Sequence, residues 1–377
     1  MTAGGGGGAP GAEPGAGPGS GSSAAVTVLV TAIRNPVRLG ACIDRVNRLA
    51  SEDGVAADVV AVLDGPEPGL AESLAGRPDV RVLSWPERRG LAASLNTAFR
   101  DTATPFVLVL QDDAQPRPGW LRSLMATAAA HPAAGAVGSV TTWPDGRLQQ
   151  AGSVIWAGGG TTNGWTGEAP PMSSFNKVRA VDYVSSSSML VRREAWAEAG
   201  GFDEEYYPLM YVDADFCTAL WNAGWQVLVE PGSVVVHERG GSSATSLRGF
   251  LYERHRRRFA AKWGAFVGDR PDGPASAEIL RAAVERAAGW IDDPPVVRAA
   301  AAAAAAAAGP AETPLAVHLQ RRIDLLQEYS AALEARLAGH DRALRYVWPA
   351  VGAVRRVQAA ARRRLPLRYP PRTPSKR

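Results

Sequence analysis

Residues 106–121 read FVLVLQDDAQPRPGWL, a short aliphatic run from Phe106 to Leu110 that stops at two adjacent carboxylates, Asp112 and Asp113. An apolar run of this length, bounded by turn residues, predicts a buried strand with polar groups at its exit. Upstream, VTVLVTA (26–32) and DVVAVL (58–63) are β-branched runs that flank a helical stretch over 39–50, the pattern of a βαβ opening. Val80 to Leu83 predicts a third strand and Leu91 to Arg100 a helix, so strand and helix alternate up to the two carboxylates. Such alternation predicts an α/β fold with a mainly parallel sheet and ligands at the carboxyl ends of the strands.

Downstream of Asp113 the character changes. Residues 135–182 are rich in Gly, Thr, Ser and Trp and predict an irregular, acceptor-side region. A strand over 183–191, helices over 193–199 and 213–223, and a final strand Val234 to Val236 ending at His237 follow. From Leu319 the positions Ile323, Leu326, Ser330, Leu333 and Leu337 step by four and three, a heptad-like seam that fits a dimeric coiled coil or a helix packed on the main domain. The expected organisation is a Gly/Pro/Ala-rich tail over 1–25, one α/β domain over 26–265, a helical linker with poly-Ala over 266–312, a coiled-coil-like helix over 313–340 and a basic tail over 341–377.

The chain of 377 residues is 46% hydrophobic and 21% charged, with a formal net charge of +4. Eleven Lys and Arg residues stand against Asp341 alone beyond position 340, a surplus of ten, which leaves the preceding 340 residues at −6. A body of that sign offers no basic field for nucleic acid. Two distant cysteines, Cys42 and Cys217, encode neither a disulfide framework nor a thiolate zinc cluster and fit a reducing compartment. No stretch reaches the roughly 18 to 20 apolar residues of a membrane span, and the first 25 residues lack the features of a signal peptide. Arginines interleaved with Val351, Val354, Val357 and Leu365 suit either an anionic membrane surface or a disordered basic tail. The expected location is cytoplasmic, with the inner face of the plasma membrane as the surface the tail would meet.

Four features have chemical potential. Asp64, in Leu63-Asp64-Gly65-Pro66, is either a turn former or a ligand-binding carboxylate at a strand end. Adjacent Asp112 and Asp113 repel one another unless solvent or a cation compensates, and a hard divalent ion that also bridges phosphate oxygens is the natural compensator. Asp213 and Asp215 open a helix, where capping and the helix dipole favour Asp in any case. His237, after three valines, either ligates a metal or ends a strand. A further basic group, Arg254, Arg256, Arg257, Arg258 and Lys262, offers either diphosphate contacts or a solvated helix face. Trp143, Trp156 and Trp165 offer sugar-stacking surfaces or simply core.

Taken in order, VTVLVTAIRNP, VVAVLDGP, RRGLAASLNTAF, VLVLQDDAQPRPGWL, VDYVSSSSMLVRREAWAEAGGFDEEYYPLMYVDADFCTALWNAGWQVLVEPGSVVVHERGGSS and LYERHRRRFAAKWG resemble the family 2 glycosyltransferases of nucleotide-diphospho-sugar transferase (GT-A) fold. The rhamnosyl- and galactofuranosyl-transferase-like branch is the nearest in pattern, over about residues 26–262. The resemblance implies that Thr31 and Asp64 hold the nucleotide base and that Asn96 lies near the donor pocket. It implies that Asp112 contacts the ribose or sugar side, that Asp113 binds Mg²⁺ or Mn²⁺, and that His237 completes the metal shell. Asp213 matches the catalytic base, with Asp215 as its rival, and Arg256 is a candidate for the donor diphosphate. The sequence departs from the family pattern at Leu63, where a second acid is usual, at Val212, where Glu is usual, and at Ser185 to Ser188, which replace a loop often containing glycine. The QXXRW motif of processive synthases is absent.

These readings predict a metal-dependent, inverting, non-processive transfer from a UDP- or dTDP-sugar to a hydroxyl of a cell-surface glycan or lipid-linked acceptor, with a homodimer through 313–340 as an accompanying expectation. A catalytically silent glycan-binding or assembly protein is the alternative from another class. A sugar-1-phosphate nucleotidyltransferase is the enzymatic rival, and Thr31 to Asn35 lack its glycine-rich signature.

Overall fold

The computed structural model describes residues 24–163, 177–238, 245–273, 277–292 and 313–337. The expected tail over 1–25, the poly-Ala run, the basic tail and Trp165 fall wholly or almost wholly outside them. The opening is the predicted βαβ unit: β1 (Val26–Ala32), α1 (Pro36–Glu52) and β2 (Ala57–Asp64), with β1 and β2 parallel from Val26 opposite Ala57 to Ala32 opposite Leu63. β3 (Arg81–Trp85) adds in parallel to β2, and α2 (Leu91–Arg100) returns the chain so that β4 (Phe106–Gln111) pairs with the other side of β1. The strand order therefore reverses at β1. Right-handed crossovers in opposite directions place α1 and α2 on opposite faces of the sheet. That reversal opens a crevice at the carboxyl ends of β1 and β4, where Asp112 and Asp113 emerge.

Among the described residues ten strands make one sheet, with the path β10-β12-β6-β11-β4-β1-β2-β3 and with β5 and β7 attached to β12 and β6. α3 (Trp120–Ala130) follows β5 (Ala114–Pro116), and Asp53, at the end of α1, caps it from outside by accepting from the amides of Gly119, Leu121 and Arg122. On the opposite layer α2 meets α4 (Arg193–Glu198) and α5 (Val212–Asn222) through an aromatic cluster in which Phe99 packs on Trp196 and Phe202, and Phe202 on Phe216.

The described part of the region over 135–182 is more regular than its composition predicts. β6 (Ala134–Thr142) lies inside the sheet, parallel to β12 (Gln226–His237) and antiparallel to β11 (Ser188–Arg192). Its sequence, AGAVGSVTT, has low strand propensity, yet a Cβ at Gly138 would sit 2.4 Å from the Cβ of Val184, so the close packing demands glycine. Three further short strands follow from the same region: β7 (Leu148–Gln150), β8 (Ser153–Ile155) and β9 (Thr161–Asn163), with β10 (Arg179–Ala180) beside β12. β12 is also longer than the predicted Val234–Val236. Pro231 and Gly232 lie in an irregularity of pairing between Glu230 and Val234, and the strand continues through it.

After β12, α6 (Thr245–Lys262) and α7 (Gly264–Gly268) bring Phe259, Trp263, Phe266 and Val267 into the core. α8 (Ala277–Ala288) sets Ala283 against Val154 and Trp156, so the packed body continues past the boundary expected at 265. α9 (Leu315–Leu337) lies on this body. Leu325 packs with Tyr207 and Leu251, while Arg321 pairs with Glu204 and Glu205 and Arg254 of α6 with Glu328. Among the described residues no helix is long and apolar enough to cross a membrane.

Candidate active site

A cleft of about 300 Å³ opens where the strand order reverses, lined by Thr31, Asp64, Asp112, Asp113, Ser185, Ser186, Asp213 and His237, with Arg38, Arg88 and Arg248 on its walls. Six of the nine residues singled out from sequence thus share one cavity: Thr31, Asp64, Asp112, Asp113, Asp213 and His237. They arrive from the ends of β1, β2, β4 and β12 and from the start of α5, far apart in sequence.

Asp64 is fixed by two backbone amides: Oδ1 accepts from Arg89 N at 2.6 Å and Oδ2 from Gly90 N at 3.0 Å. It therefore ties the end of β2 to the turn that starts α2. Asp112 is buried and accepts on Oδ2 from Arg38, from Nε at 2.9 Å and from Nη2 at 2.7 Å. Burial pushes its carboxyl up to about 6, against the pull of Arg38 and with a smaller upward push from Asp113. Arg38 stands in the first turn of α1, where the helix dipole disfavours a cation, and this ion pair with Asp112 offsets that cost.

Asp113 and His237 meet through strand register. β5 and β12 are antiparallel with Ala114 opposite His237, and Glu238 N donates to Asp113 O at 3.1 Å. Asp113 Oδ1 then lies 3.3 Å from His237 Nε2. Both side chains are largely buried. Gln149 of β7 grips the far side of the histidine: its Nε2 donates to His237 O at 3.0 Å and its Oε1 lies 2.6 Å from Nδ1.

Asp213 stands across the cleft at the start of α5. Its carboxylate accepts from Ser186 N at 3.3 Å and from Ala214 N at 3.0 Å. Burial raises its pKa, and the two amides oppose the rise. Tyr211, which precedes the helix, and Met210 both have φ in the left-handed region, 64° and 74°. Backbone held there by non-glycine residues costs of order 1 kcal/mol or more each and is found where packing enforces it. Here the buried ring of His255 accepts that task, with Nδ1 3.1 Å from Met210 O.

Three expected substrate contacts are placed elsewhere. Asn96 is wholly buried; its amide bonds to both the N–H and the C=O of Phe202 and to Glu204, so it staples the loop before α5 onto α2. Asp215 points away from the cleft and accepts from Tyr206, Trp263 and Lys262. Arg256 is held by Glu253 and by Gly158 O. Other members of the basic group are likewise bound to acids: Arg254 to Glu328, Arg257 to Glu253, Arg258 to Glu205, and Lys262 to Asp203 and Asp215. The arginine that α6 does bring to the cleft is Arg248. Its signal in the sequence is a cation in the first turn of a helix, the same signal that marks Arg38. Trp156 is buried and donates to Thr162, consistent with core rather than a sugar platform.

A crossover sheet with a carboxylate-lined cleft at its switch point, and an antiparallel extension that supplies His237, is the layout of a glycosyltransferase of GT-A fold. Residues 27–195 match the family model for glycosyl transferase family 2. An N-acetylglucosaminyl-diphospho-decaprenol L-rhamnosyltransferase of Mycobacterium tuberculosis is 29% identical over 218 residues, 52% of this chain and 69% of that protein. A pre-mycofactocin glycosyltransferase of the same organism is 30% identical over 165 residues, 42% of this chain and 32% of its own length. A solved structure of GalNAc-T7 with UDP, GalNAc and Mn²⁺ superposes with a TM-score of 0.52 at 14% identity, over 65% of this chain. This chain spans half the length of that one, and the likeness is one of fold. Over the segment that starts in β1 and ends in α4, the chain is similar to the family 2 glycosyltransferases.

Proposed function

We propose that this glycosyltransferase is metal-dependent and inverting, taking a sugar from a nucleoside diphosphate sugar, UDP or dTDP, and placing it on a hydroxyl of a glycan or lipid-linked acceptor. The observation that carries the reading is the cleft itself, with Asp113 and His237 3.3 Å apart on one side and Asp213 at the start of α5 on the other. A carboxylate oxygen and an imidazole nitrogen fit Mn²⁺ or Mg²⁺ as two protein ligands. Among the described residues no cluster of three or more His, Cys, Asp or Glu side chains gathers, so Asp113 and His237 are the side chains that would hold the ion. The metal supplies a Lewis acid for charge that develops on the departing diphosphate.

The chain's own residues supply the remainder. Asp64 and Thr31 line the part of the cleft nearest β2 and receive the base. Arg88 and Arg248 add positive charge to the walls for the diphosphate. Asp213, raised in pKa by burial, takes the proton of the acceptor hydroxyl as that oxygen bonds to the anomeric carbon. The bond from the anomeric carbon to the diphosphate oxygen breaks in the same displacement, and the nucleoside diphosphate leaves with that electron pair. No covalent enzyme intermediate is required, so configuration inverts. The name of the mycobacterial rhamnosyltransferase supports a lipid-linked diphosphate acceptor as the first class to try.

The test is donor turnover with a panel of UDP-, dTDP- and GDP-sugars and a membrane extract as acceptor, with Mn²⁺ or EDTA. Release of one nucleoside diphosphate that requires metal and is lost in both Asp113→Ala and Asp213→Asn is the expected result. Turnover that survives EDTA, or survives either substitution, overturns the reading.

A further inference from the structure

Gln149 is a buried polar side chain, 2% exposed, that no step above uses. Its position is a product of strand irregularity. Thr141 pairs with Gln150 and Thr142 with Leu148, so Gln149 is the extra residue of a bulge between β6 and β7. A bulge re-aims the side chain it carries. Here the amide is turned onto His237, the residue opposite Ala114 at the end of β12.

The two hydrogen bonds of that amide leave one orientation and one tautomer. The backbone oxygen of His237 can only accept, so the end of the amide 3.0 Å from it is the NH₂ group. The other end, 2.6 Å from Nδ1, is then the amide oxygen, which also only accepts. Nδ1 must therefore carry the hydrogen, and in the neutral ring Nε2 bears the lone pair. That lone pair faces a carboxylate oxygen of Asp113 at 3.3 Å. Two acceptors held face to face by buried backbone register are suited to a cation between them. Asn163 of β9 extends the support by donating to Gln149 O at 3.3 Å.

We propose that Gln149 is a positioning residue: it locks His237 in the Nδ1–H tautomer and so presents Nε2, together with Asp113 Oδ1, as a two-atom seat for a divalent cation. The inference rests on the metal-dependent reading above. An outer partner of a metal-binding histidine typically sets metal affinity by about 10- to 100-fold.

Two measurements test it. In metal-free wild-type protein at pH 8, long-range ¹⁵N–¹H correlation of the histidine rings, with His237 identified by its loss in His237→Ala, is expected to show the Nδ1–H tautomer. An Nε2–H or doubly protonated ring overturns the inference. Mn²⁺ affinity, read from the electron paramagnetic resonance signal of the free ion, is expected to fall about 10- to 100-fold in Gln149→Leu. Gln149→Glu, which still accepts from Nδ1, should bind Mn²⁺ at least as well as half the loss on a logarithmic scale would allow. If His237→Ala loses Mn²⁺ and Gln149→Leu does not, the role of Gln149 is wrong and the metal reading stands. If wild type binds no Mn²⁺, or His237→Ala binds it unchanged, the metal reading itself fails.

Discussion

Asp213 and Asp215 stand two residues apart at the start of α5, yet they answer to different surroundings. Asp213 lines the cleft and accepts from the amides of Ser186 and Ala214. Asp215 faces the interior, where Tyr206, Trp263 and Lys262 occupy its oxygens. One faces the cleft, where the proposed function gives it the acceptor's proton; the other anchors α6 to α5.

Substitution separates these roles. Asp213→Asn is expected to lower kcat by about 10²- to 10⁴-fold, the usual contribution of a general base, with an unchanged Tm. Asp215→Asn removes one partner from a buried ion pair and should cost about 3–5 kcal/mol of stability. Urea denaturation of both variants beside kinetics checks the pair of outcomes.

His255 gives the fold a pH dependence. Burial, with Arg254 and Arg258 adding to it, pushes the imidazole down to about 4 from an ordinary 6.5. The folded chain therefore disfavours the protonated ring, while the unfolded chain takes the proton near 6.5. The resulting contribution is full above that value and is lost as pH falls towards 4, about 3 kcal/mol in all. Chemical denaturation at pH 7.5 and 4.5 should show His255→Gln losing that much less than wild type across the interval.

Gly90 joins the Asp64 side of the cleft to the loop before α5. It has φ of 91°, and a Cβ there would lie 2.8 Å from Cδ2 of Tyr207, while Leu91 N donates to Pro208 O. Gly90→Ala should destabilise the fold by about 1–3 kcal/mol and weaken UDP binding, because the same amide holds Asp64. Calorimetric titration with UDP and a thermal melt give the two readings.

The docking of α9 should be measurable in the same way. Leu325 is buried against Tyr207 and Leu251, so Leu325→Ala should cost about 2–5 kcal/mol. Arg322, exposed and paired with Glu87 near the surface, should cost less than about 1 kcal/mol on substitution by Ala.

Much of this arrangement was legible in the residues. The runs over 26–32, 58–63 and 106–110 announce strands because β-branched side chains crowd them, and the carboxylates at their ends fall where a switch point places ligands. β6 was hidden because Gly135 and Gly138 answer to neighbours distant in sequence, Trp225 and Val184. Pro231-Gly232 concealed the length of β12, since the strand continues through an irregularity of pairing there. Asp213 and Asp215 could not be separated, because both satisfy a helix start equally well. Asn96 was misplaced for a related reason: a buried amide that caps a loop and one that touches a ligand look alike until their partners are known. Gln149 carries no motif at all; only the skipped pairing at β7 turns it towards His237.

The register between β5 and β12 has a consequence for biosynthesis. Asp113 and His237 become neighbours only when the last strand of the sheet has been laid beside residues made more than a hundred positions earlier. A nascent chain that has emerged only through β11 holds the carboxylates but not the imidazole. On the proposed reading, the two-atom seat for a cation is therefore completed only together with the sheet.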